Sequence, residues 1–165
     1  MRAPVRHALI WLLLSAAVIA LDLWTKQLAL DHLRYAEPMA VLEGWLNWTL
    51  VYNHGAAFSF LGDADGWQRW LFSALAVGIS LALIVALKRT ERHDWRQAAP
   101  FALIIGGALG NLVDRLRFGY VVDFIDAYWG TYHWPAFNIA DSAIVTGAFM
   151  LAIWGVWRGH VTAND

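Results

Sequence analysis

Four long apolar stretches divide the chain, and each approaches the length of a membrane-spanning helix. They run over residues 8–30, 70–87, 98–113 and 139–157. A helix needs about 20 mostly apolar residues to cross the hydrocarbon core of a bilayer. The pattern therefore predicts an all-α membrane protein with four transmembrane helices.

Polar and charged residues occur in or beside three of these stretches. The second stretch is free of charge, whereas the others carry Asp22 and Lys26, then Asn111, Asp114 and Arg115, and finally Asp141. Ionisable groups at membrane depth are costly, so they usually face a partner, a cavity or a reaction. These residues are therefore candidates for a functional site.

Basic residues indicate the orientation of the helices. Lys and Arg in short links stay on the cytoplasmic side, and here they are Arg2, Arg6, Lys88, Arg89, Arg92 and Arg96. Both termini are therefore predicted to be cytoplasmic, and the other two links extracytoplasmic. The N-terminus also resembles a cleavable secretory signal. Its apolar stretch is longer than such signals usually are, so we expect it to remain as a span.

Two segments in the extracytoplasmic links are rich in β-forming residues. Residues 46–52 (LNWTLVY) lie between turn-forming residues, and residues 120–125 (YVVDFI) carry Asp123. Such compositions favour extended backbone. We expect a small extracytoplasmic β-rich segment, in which residues 46–60 close over a bound substrate. No repeat or linker is evident, so residues 1–165 are predicted to form a single domain.

Composition narrows the function. The chain of 165 residues is 59% apolar, which is too apolar for an ordinary soluble domain. Its 12 Lys and Arg against 13 Asp and Glu give no basic excess, so we expect no nucleic-acid partner. Cys is absent, which excludes disulfides, thiolate metal sites and a Cys nucleophile. No zinc-type His spacing occurs, His54 is interpreted as a loop or interface residue, and no metal or cofactor is expected.

Asp123 and Asp141 are the strongest candidates for chemistry. Both lie among apolar neighbours at the same predicted depth, near the outer face of the bilayer. Asp141 alone is explained equally well by the helix macrodipole, which favours an acid in a first turn. Two carboxylates brought together in poorly hydrated surroundings cannot both ionise, so they share a proton. Such a pair can activate water for amide hydrolysis without a metal or a covalent nucleophile.

The remaining polar residues allow both structural and functional interpretations. Asp22 and Lys26 are one helical turn apart, and a structural ion pair is the preferred interpretation. For Asp114, an ion pair with the adjacent Arg115 is as good an interpretation as a role in the site. Asn111 and Arg115 are better suited to binding, because a carboxamide and a guanidinium can hold peptide carbonyls.

Five ordered motifs resemble those of the lipoprotein signal peptidase family, the type II signal peptidases of bacteria. They run through nearly the whole chain: Asp22-Leu23-Trp24-Thr25-Lys26, Asn53-His54-Gly55-Ala56-Ala57-Phe58, Gly106 through Arg115, Val121-Val122-Asp123-Phe124, and Phe137-Asn138-Ile139-Ala140-Asp141. No motif position departs from the family pattern.

The resemblance implies an aspartic endopeptidase of the bacterial inner membrane. Such enzymes remove the signal peptide from prolipoproteins that carry a diacylglyceryl group, cutting just before the lipidated Cys. It implies that Asp123 and Asp141 are the catalytic pair. It further implies four substrate-binding residues, namely Asn53, Asn111, Arg115 and Asn138. The structural supports are then Asp22, Lys26 and Asp114. It also implies inhibition by globomycin. We expect a monomer, because one chain supplies every motif.

Other classes of protein fit the sequence less well. A small transporter or channel component would place polar groups near the midplane, with repeat symmetry, whereas these cluster at one interface. A purely structural four-helix protein would not account for both carboxylates beside Asn and Arg. The Gly-x-Gly-Asp motif of presenilin-like proteases is missing.

Overall fold

The computed structural model of the protein describes residues 7–55 and 66–162. Several residues used above lie outside this part of the chain: Arg2, Arg6, Ala56, Ala57 and Phe58. The expected closure of residues 46–60 over a substrate therefore concerns a segment that is only partly described.

Helices form most of the described chain. A short 3-10 turn, Ala8–Trp11, leads into α1 (Leu12–His32), which is followed by α2 (Trp67–Arg89), α3 (Trp95–Phe118) and α4 (Ile139–Thr162). Three segments are long and apolar enough to cross a membrane, namely Ala8–His32, Trp67–Arg89 and Trp95–Phe118. Three of the four expected spans are therefore supported by length and composition, and a fourth span along α4 stays a prediction.

Helix α3 lies at the centre and packs against α1, α2 and α4. Small residues of α3 permit this close packing. A Cβ added at Gly106 would lie 2.8 Å from the Val18 Cβ of α1, and one at Gly107 would collide with the Ala140 carbonyl of α4. The close approach of α4 to α3 therefore depends on glycine at a position that the sequence analysis did not single out.

A four-stranded antiparallel sheet caps one end of the bundle, which we call the sheet end. Its order is β1 (Met39–Leu42), β2 (Leu46–Asn53), β3 (Val121–Trp129) and β4 (Tyr132–His133). The two segments predicted to be extended are β2 and β3, which pair in a register that sets Val51 opposite Asp123. The sheet packs on the helices through a buried cluster of Ala29, Leu50, Val122 and Phe124.

The opposite end of the bundle carries the basic link between α2 and α3, and we call it the basic end. The chain entering α1 is fastened there, since the Ala8 N–H donates to the Thr90 carbonyl at 3.1 Å. The Arg96 guanidinium lies 4.7 Å from the Trp154 ring of α4. The bases used above to predict the orientation, Lys88, Arg89, Arg92 and Arg96, therefore lie together at this end, opposite the sheet.

Candidate active site

Five candidate residues come from four elements that meet at the sheet end. Asp123 lies on β3 and Asn53 ends β2, while Asn111 lies in the last third of α3. Asn138 immediately precedes α4, and Asp141 is in the first turn of that helix. Three of these five side chains are almost fully buried, at 1% exposure for Asp123, 5% for Asn111 and 0% for Asn138.

Two amides hold the carboxylate of Asp123. Asn138 Nδ2 donates to Oδ1 at 2.7 Å, and Asn53 Nδ2 donates to Oδ2 at 2.9 Å. Strand pairing brings Asn53 to this point, because its backbone is opposite Val121 in the sheet. Asn53 is itself oriented by the Gly55 N–H, which donates to its Oδ1 at 2.8 Å.

Asp141 is held by the way α4 begins. The first N–H groups of a helix lack partners within it. Asn138 caps α4, since its Oδ1 accepts from the Asp141 N–H at 2.9 Å, and Asp141 Oδ2 accepts from the Asn138 N–H at 3.3 Å. This exchange is a capping box. The other oxygen, Oδ1, accepts from Asn111 Nδ2 at 2.7 Å.

Asn138 therefore links both carboxylates, and Asn111 joins the same network. Asn138 Nδ2 lies within hydrogen-bond distance of Asp123 Oδ1 and, at 3.1 Å, of Asn111 Oδ1. Burial first, and then the negative charge of Asp141, raise the pKa of Asp123 to about 7, against the hydrogen bonds from Asn53 and Asn138. A carboxyl in this state takes up or releases a proton near neutral pH. The pair can thus accept and donate protons.

Lys26 organises the layer beneath the carboxylates. Its Nζ contacts Asp22 Oδ2 at 2.7 Å, Asp114 Oδ2 at 2.9 Å and Asn111 Oδ1 at 2.9 Å. An ammonium has three N–H donors, and here three oxygen atoms lie within 2.9 Å of it. Since Lys26 is only 2% exposed, its charge is neutralised inside the protein. The expected ion pair between Asp22 and Lys26 is present, within a larger network.

The two acids around Lys26 also position backbone. Asp22 Oδ1 accepts from the Ala140 N–H at the start of α4, at 2.9 Å. Asp114 Oδ2 accepts from the Val122 N–H, at 3.0 Å, one residue before Asp123. Asp114 contacts Lys26, and among the described residues no ion pair joins it to Arg115. The alternative of an Asp114–Arg115 pair was therefore wrong, because α1 supplies the cation.

Arg115 lies at the edge of this buried network. It is partly exposed, its Nη1 donates to the Asn111 carbonyl at 3.3 Å, and its guanidinium is 5.2 Å from the Phe72 ring. A guanidinium has five N–H donors, which leaves it capacity for a further partner. His54 packs edge-on against Tyr120 at 5.3 Å, as a loop residue does.

A second polar cluster on the sheet was missed by the sequence analysis. Asp126, 6% exposed, accepts from Asn47 Nδ2 at 3.0 Å and Thr49 Oγ1 at 3.2 Å, and His133 Nδ1 lies 2.7 Å from its other oxygen. Burial acts to raise the pKa of Asp126, but these hydrogen bonds outweigh it and leave the pKa lowered. Asp126 follows Asp123 by three residues, and that proximity was the signal available.

No metal site is formed by these acids. Within residues 7–55 and 66–162, no three His, Asp or Glu side chains converge in a way that would hold an ion. The buried carboxylates are partnered by amides and by Lys26 instead.

Comparisons with known proteins agree with one another. The family model described as "Signal peptidase (SPase) II" matches residues 14–157. The lipoprotein signal peptidase of Xanthomonas campestris pv. campestris (strain 8004) is 58% identical over 156 residues, covering 94% of this chain and 93% of the relative. That of Xylella fastidiosa (strain M12) is 58% identical over 147 residues, covering 89% and 88%.

Solved structures with the same fold are also known. A bacterial membrane enzyme determined by the in meso method at 1.9 Å has a TM-score of 0.77 and 32% identity, covering 87% of this chain and 90% of that one. A second such structure at 2.3 Å has a TM-score of 0.76 and 31% identity, covering 89% and 87%. With a family model that spans most of its length, this chain belongs to the signal peptidase II family of membrane peptidases.

Proposed function

We propose that the protein is an aspartic endopeptidase that removes the signal peptide from diacylglyceryl-modified prolipoproteins, cutting just before the lipidated Cys. The observation that carries the proposal is the pair of carboxylates, buried Asp123 and half-buried Asp141, joined through Asn138. The relatives' name, lipoprotein signal peptidase, supports this choice of substrate.

The pair works by sharing one proton. We assign this proton to Asp123, because burial and the charge of Asp141 raise the pKa of Asp123 to about 7. Ionised Asp141 takes a proton from water as the water oxygen attacks the scissile carbonyl carbon, and Asp123 donates its proton to the carbonyl oxygen. The tetrahedral intermediate then collapses as Asp141 passes a proton to the amine nitrogen and Asp123 takes one back from a hydroxyl group of the intermediate. The C–N bond breaks, and the pair is returned to its starting state.

The surrounding residues divide the other tasks between them. The side-chain amides of three residues donate hydrogen bonds to the carboxylates and so fix the geometry of the pair; these residues are Asn53, Asn111 and Asn138. The same residues also bind the main chain of the substrate. Arg115 is partly exposed and holds substrate carbonyls. Asp22, Lys26 and Asp114 are supports, since their contacts fix the start of α4 and the strand before Asp123.

The placement in the membrane follows from length and charge. Helix α4 has 24 residues, which at ~1.5 Å per residue is sufficient to cross the hydrocarbon core as a fourth span. With Lys88, Arg89, Arg92 and Arg96 at the basic end, the termini lie in the cytoplasm and the sheet end faces outward. The protein acts as a single-domain monomer of the bacterial inner membrane, it needs no cofactor, and globomycin inhibits it.

The proposal is tested with a purified diacylglyceryl-modified prolipoprotein and the detergent-solubilised enzyme, using a gel shift as the readout. Asp123→Asn and Asp141→Asn are compared with wild type after each has been shown to elute and melt as a folded protein. Loss of cleavage in both folded variants supports the aspartic mechanism. Unchanged cleavage in either variant, or none by wild type, refutes it.

A further inference from the structure

An apolar cavity of about 420 Å³ lies at the sheet end, between α1, the sheet and the start of α4. Its volume falls within the ~300–1,000 Å³ typical of small-molecule pockets. One wall is a single face of α1, because its residues follow the helical spacing i, i+3, i+4, i+7 and i+8. They are Thr25, Leu28, Ala29, His32 and Leu33.

The facing wall is built from residues that adjoin the candidate active site in sequence. It includes Phe124 of β3 and Ile139 of α4. Phe124 directly follows Asp123, and Ile139 directly follows Asn138. The cavity wall is therefore joined through the backbone, on two different segments, to Asp123 and to Asn138, the residue that links the two carboxylates.

Several polar groups in the walls already have partners. Thr25 Oγ1 donates to the Leu21 carbonyl at 2.9 Å, and His32 Nδ1 lies 3.0 Å from the Leu28 carbonyl. On the opposite wall, the N–H groups of Phe124 and Ile125 donate to the Phe137 carbonyl. A peptide entering the cavity would leave its own N–H and C=O groups unpaired, which is costly in apolar surroundings. A hydrocarbon chain has no such groups.

Two residues in the wall of the cavity are also exposed at the protein surface. Leu28 is 40% exposed and Met39 is 50% exposed, and both line the cavity. Leu28 lies near the end of α1, a helix suited to crossing the membrane. A chain can therefore enter from the hydrocarbon region at the sheet end.

We propose that this cavity holds one fatty acyl chain of the substrate's diacylglyceryl group and thereby sets the depth of the attached Cys. The inference rests on the proposed function. Because the bilayer is as apolar as the cavity, little is gained by moving an acyl chain from one to the other. The benefit is positional: a seated chain holds the linked peptide bond at the carboxylate pair, which is the contribution that orientation makes to catalysis.

The test is photolabelling of the full chain in lipid nanodiscs. The substrate is a prolipoprotein whose diacylglyceryl group carries a diazirine midway along one acyl chain, bound to the Asp141→Asn variant. Labelled residues are identified by mass spectrometry. The comparison probe is phosphatidylglycerol with the same diazirine chain at the same mole fraction.

Substitutions at two leucines of α1 provide a matched pair. Leu28→Trp fills the mouth of the cavity. Leu21→Trp is the control, because Leu21 is 46% exposed, lies two turns earlier on nearly the same face of α1, and does not line the cavity. We expect substrate label on Leu28, Leu33 and Met39, lost in Leu28→Trp and retained in Leu21→Trp. In the otherwise wild-type enzyme, Leu28→Trp should lower kcat/KM about tenfold, since a misplaced scissile bond reacts slowly.

The outcomes separate this inference from the proposed function. Substrate label spread equally over lipid-facing residues, or equal labelling by phosphatidylglycerol, overturns the acyl-chain site even if wild type cleaves. Labelling of the peptide portion in the cavity overturns it as well. Specific acyl label in the cavity without cleavage by wild type refutes the peptidase proposal and leaves the acyl-chain site standing.

Discussion

The side-chain amide of Asn138 donates a 2.7 Å hydrogen bond to Oδ1 of Asp123. The other end of the same side chain caps α4 by accepting from the Asp141 N–H at 2.9 Å. One residue thus couples the start of a helix to the strand that carries Asp123. The relative position of the two carboxylates is consequently set by a helix cap, which is a rigid feature that a single side chain provides.

Replacing Asn138 with Ala should impair both catalysis and stability. The cap is lost, which costs ~0.5–2 kcal/mol in the free energy of unfolding. Asp123 also loses a donor, and kcat should fall by about 100-fold or more, as expected when a proton-transfer group is misplaced. The measurements are kcat with the diacylglyceryl substrate and the melting temperature in detergent.

Asn47→Ala is the matched control for that variant. Asn47 also donates to a buried Asp on β3, with Nδ2 3.0 Å from Asp126 Oδ2. Its loss should lower the melting temperature by a similar amount and leave kcat within about threefold, because its partner does not react. Equal losses of kcat in the two variants would show that Asn138 acts only through stability.

Hydrophobic patterning predicted the helices because burial in lipid demands long apolar runs, and β2 and β3 were predicted from their β-forming residues. Strands β1 and β4 were missed, since four and two residues are too few for a pattern. The Asp22–Lys26 pair followed from helical spacing. The contacts of Lys26 with Asp114 and Asn111 did not, because they join residues 85 or more positions apart.

The pair of acids at the site was identified from its apolar surroundings and from the family motifs. Neither the apolar surroundings nor the motifs predict which side chain donates a hydrogen bond to each carboxylate. Asp126, like Asp123, lies among mostly apolar residues in the sequence of β3. Its partners are nevertheless different, namely Asn47, Thr49 and His133. Cross-strand register decides this, and register is fixed by tertiary pairing rather than by local sequence.

Raising the pH should remove the shared proton and with it the activity. The pKa of Asp123 is raised to about 7 by burial and by Asp141. We expect kcat/KM to fall above pH ~7, by up to about tenfold per pH unit, as the proton donor is lost. Asp126→Asn should leave this alkaline limb unchanged, because that carboxyl is outside the pair. A flat profile to pH 9 would contradict the assignment of the donor.

The stability of the fold should also depend on the protonation of Asp123. The pKa of Asp123 is higher in the folded than in the unfolded protein, so the folded state binds more protons between pH ~4 and ~7. The contribution of Asp123 to stability is complete below pH ~4 and is lost as the pH rises through about 7. The melting temperature of wild type should therefore decrease over that window relative to Asp123→Asn, which has no carboxyl to titrate. Parallel curves would refute this linkage.

Lys26→Met should be strongly destabilising. It leaves Asp22 and Asp114 buried without their cation, and breaking a buried ion pair in this way costs ~3–5 kcal/mol. The exposed pair of Arg34 and Glu37, 3.6 Å apart, is the control. Arg34→Met should change the free energy of unfolding by less than ~1 kcal/mol. Adding Asp22→Asn to Lys26→Met should recover part of the loss, as measured by detergent denaturation.

Gly107→Ala should displace the start of α4. An added Cβ would collide with the Ala140 carbonyl, which is backbone and cannot rotate away. We expect a lower melting temperature and a loss of kcat, since Asp141 moves with Ala140. Gly78→Ala in α2 is the control because a Cβ there meets nothing within 4 Å. It should be neutral or stabilising by up to ~1 kcal/mol, from helix propensity.

Arg115→Ala should weaken substrate binding more than it weakens the fold. Arg115 is partly exposed beside the buried network, and losing charge-assisted hydrogen bonds to substrate carbonyls costs ~1.5–3 kcal/mol, which is about 10- to 150-fold in kcat/KM. Arg115→Lys should recover only part of it, because an ammonium lacks the planar fork of donors.

Two control variants remove other cations. Arg117→Ala removes an exposed Arg at the same end, and Lys88→Ala removes a cation at the basic end. Both should retain kcat/KM within about threefold, since exposed charges away from bound groups contribute little. Equal activity in Arg115→Ala and Lys88→Ala would remove Arg115 from the site, whereas a loss confined to Arg115 identifies the guanidinium as the group that holds the peptide against the carboxylate pair.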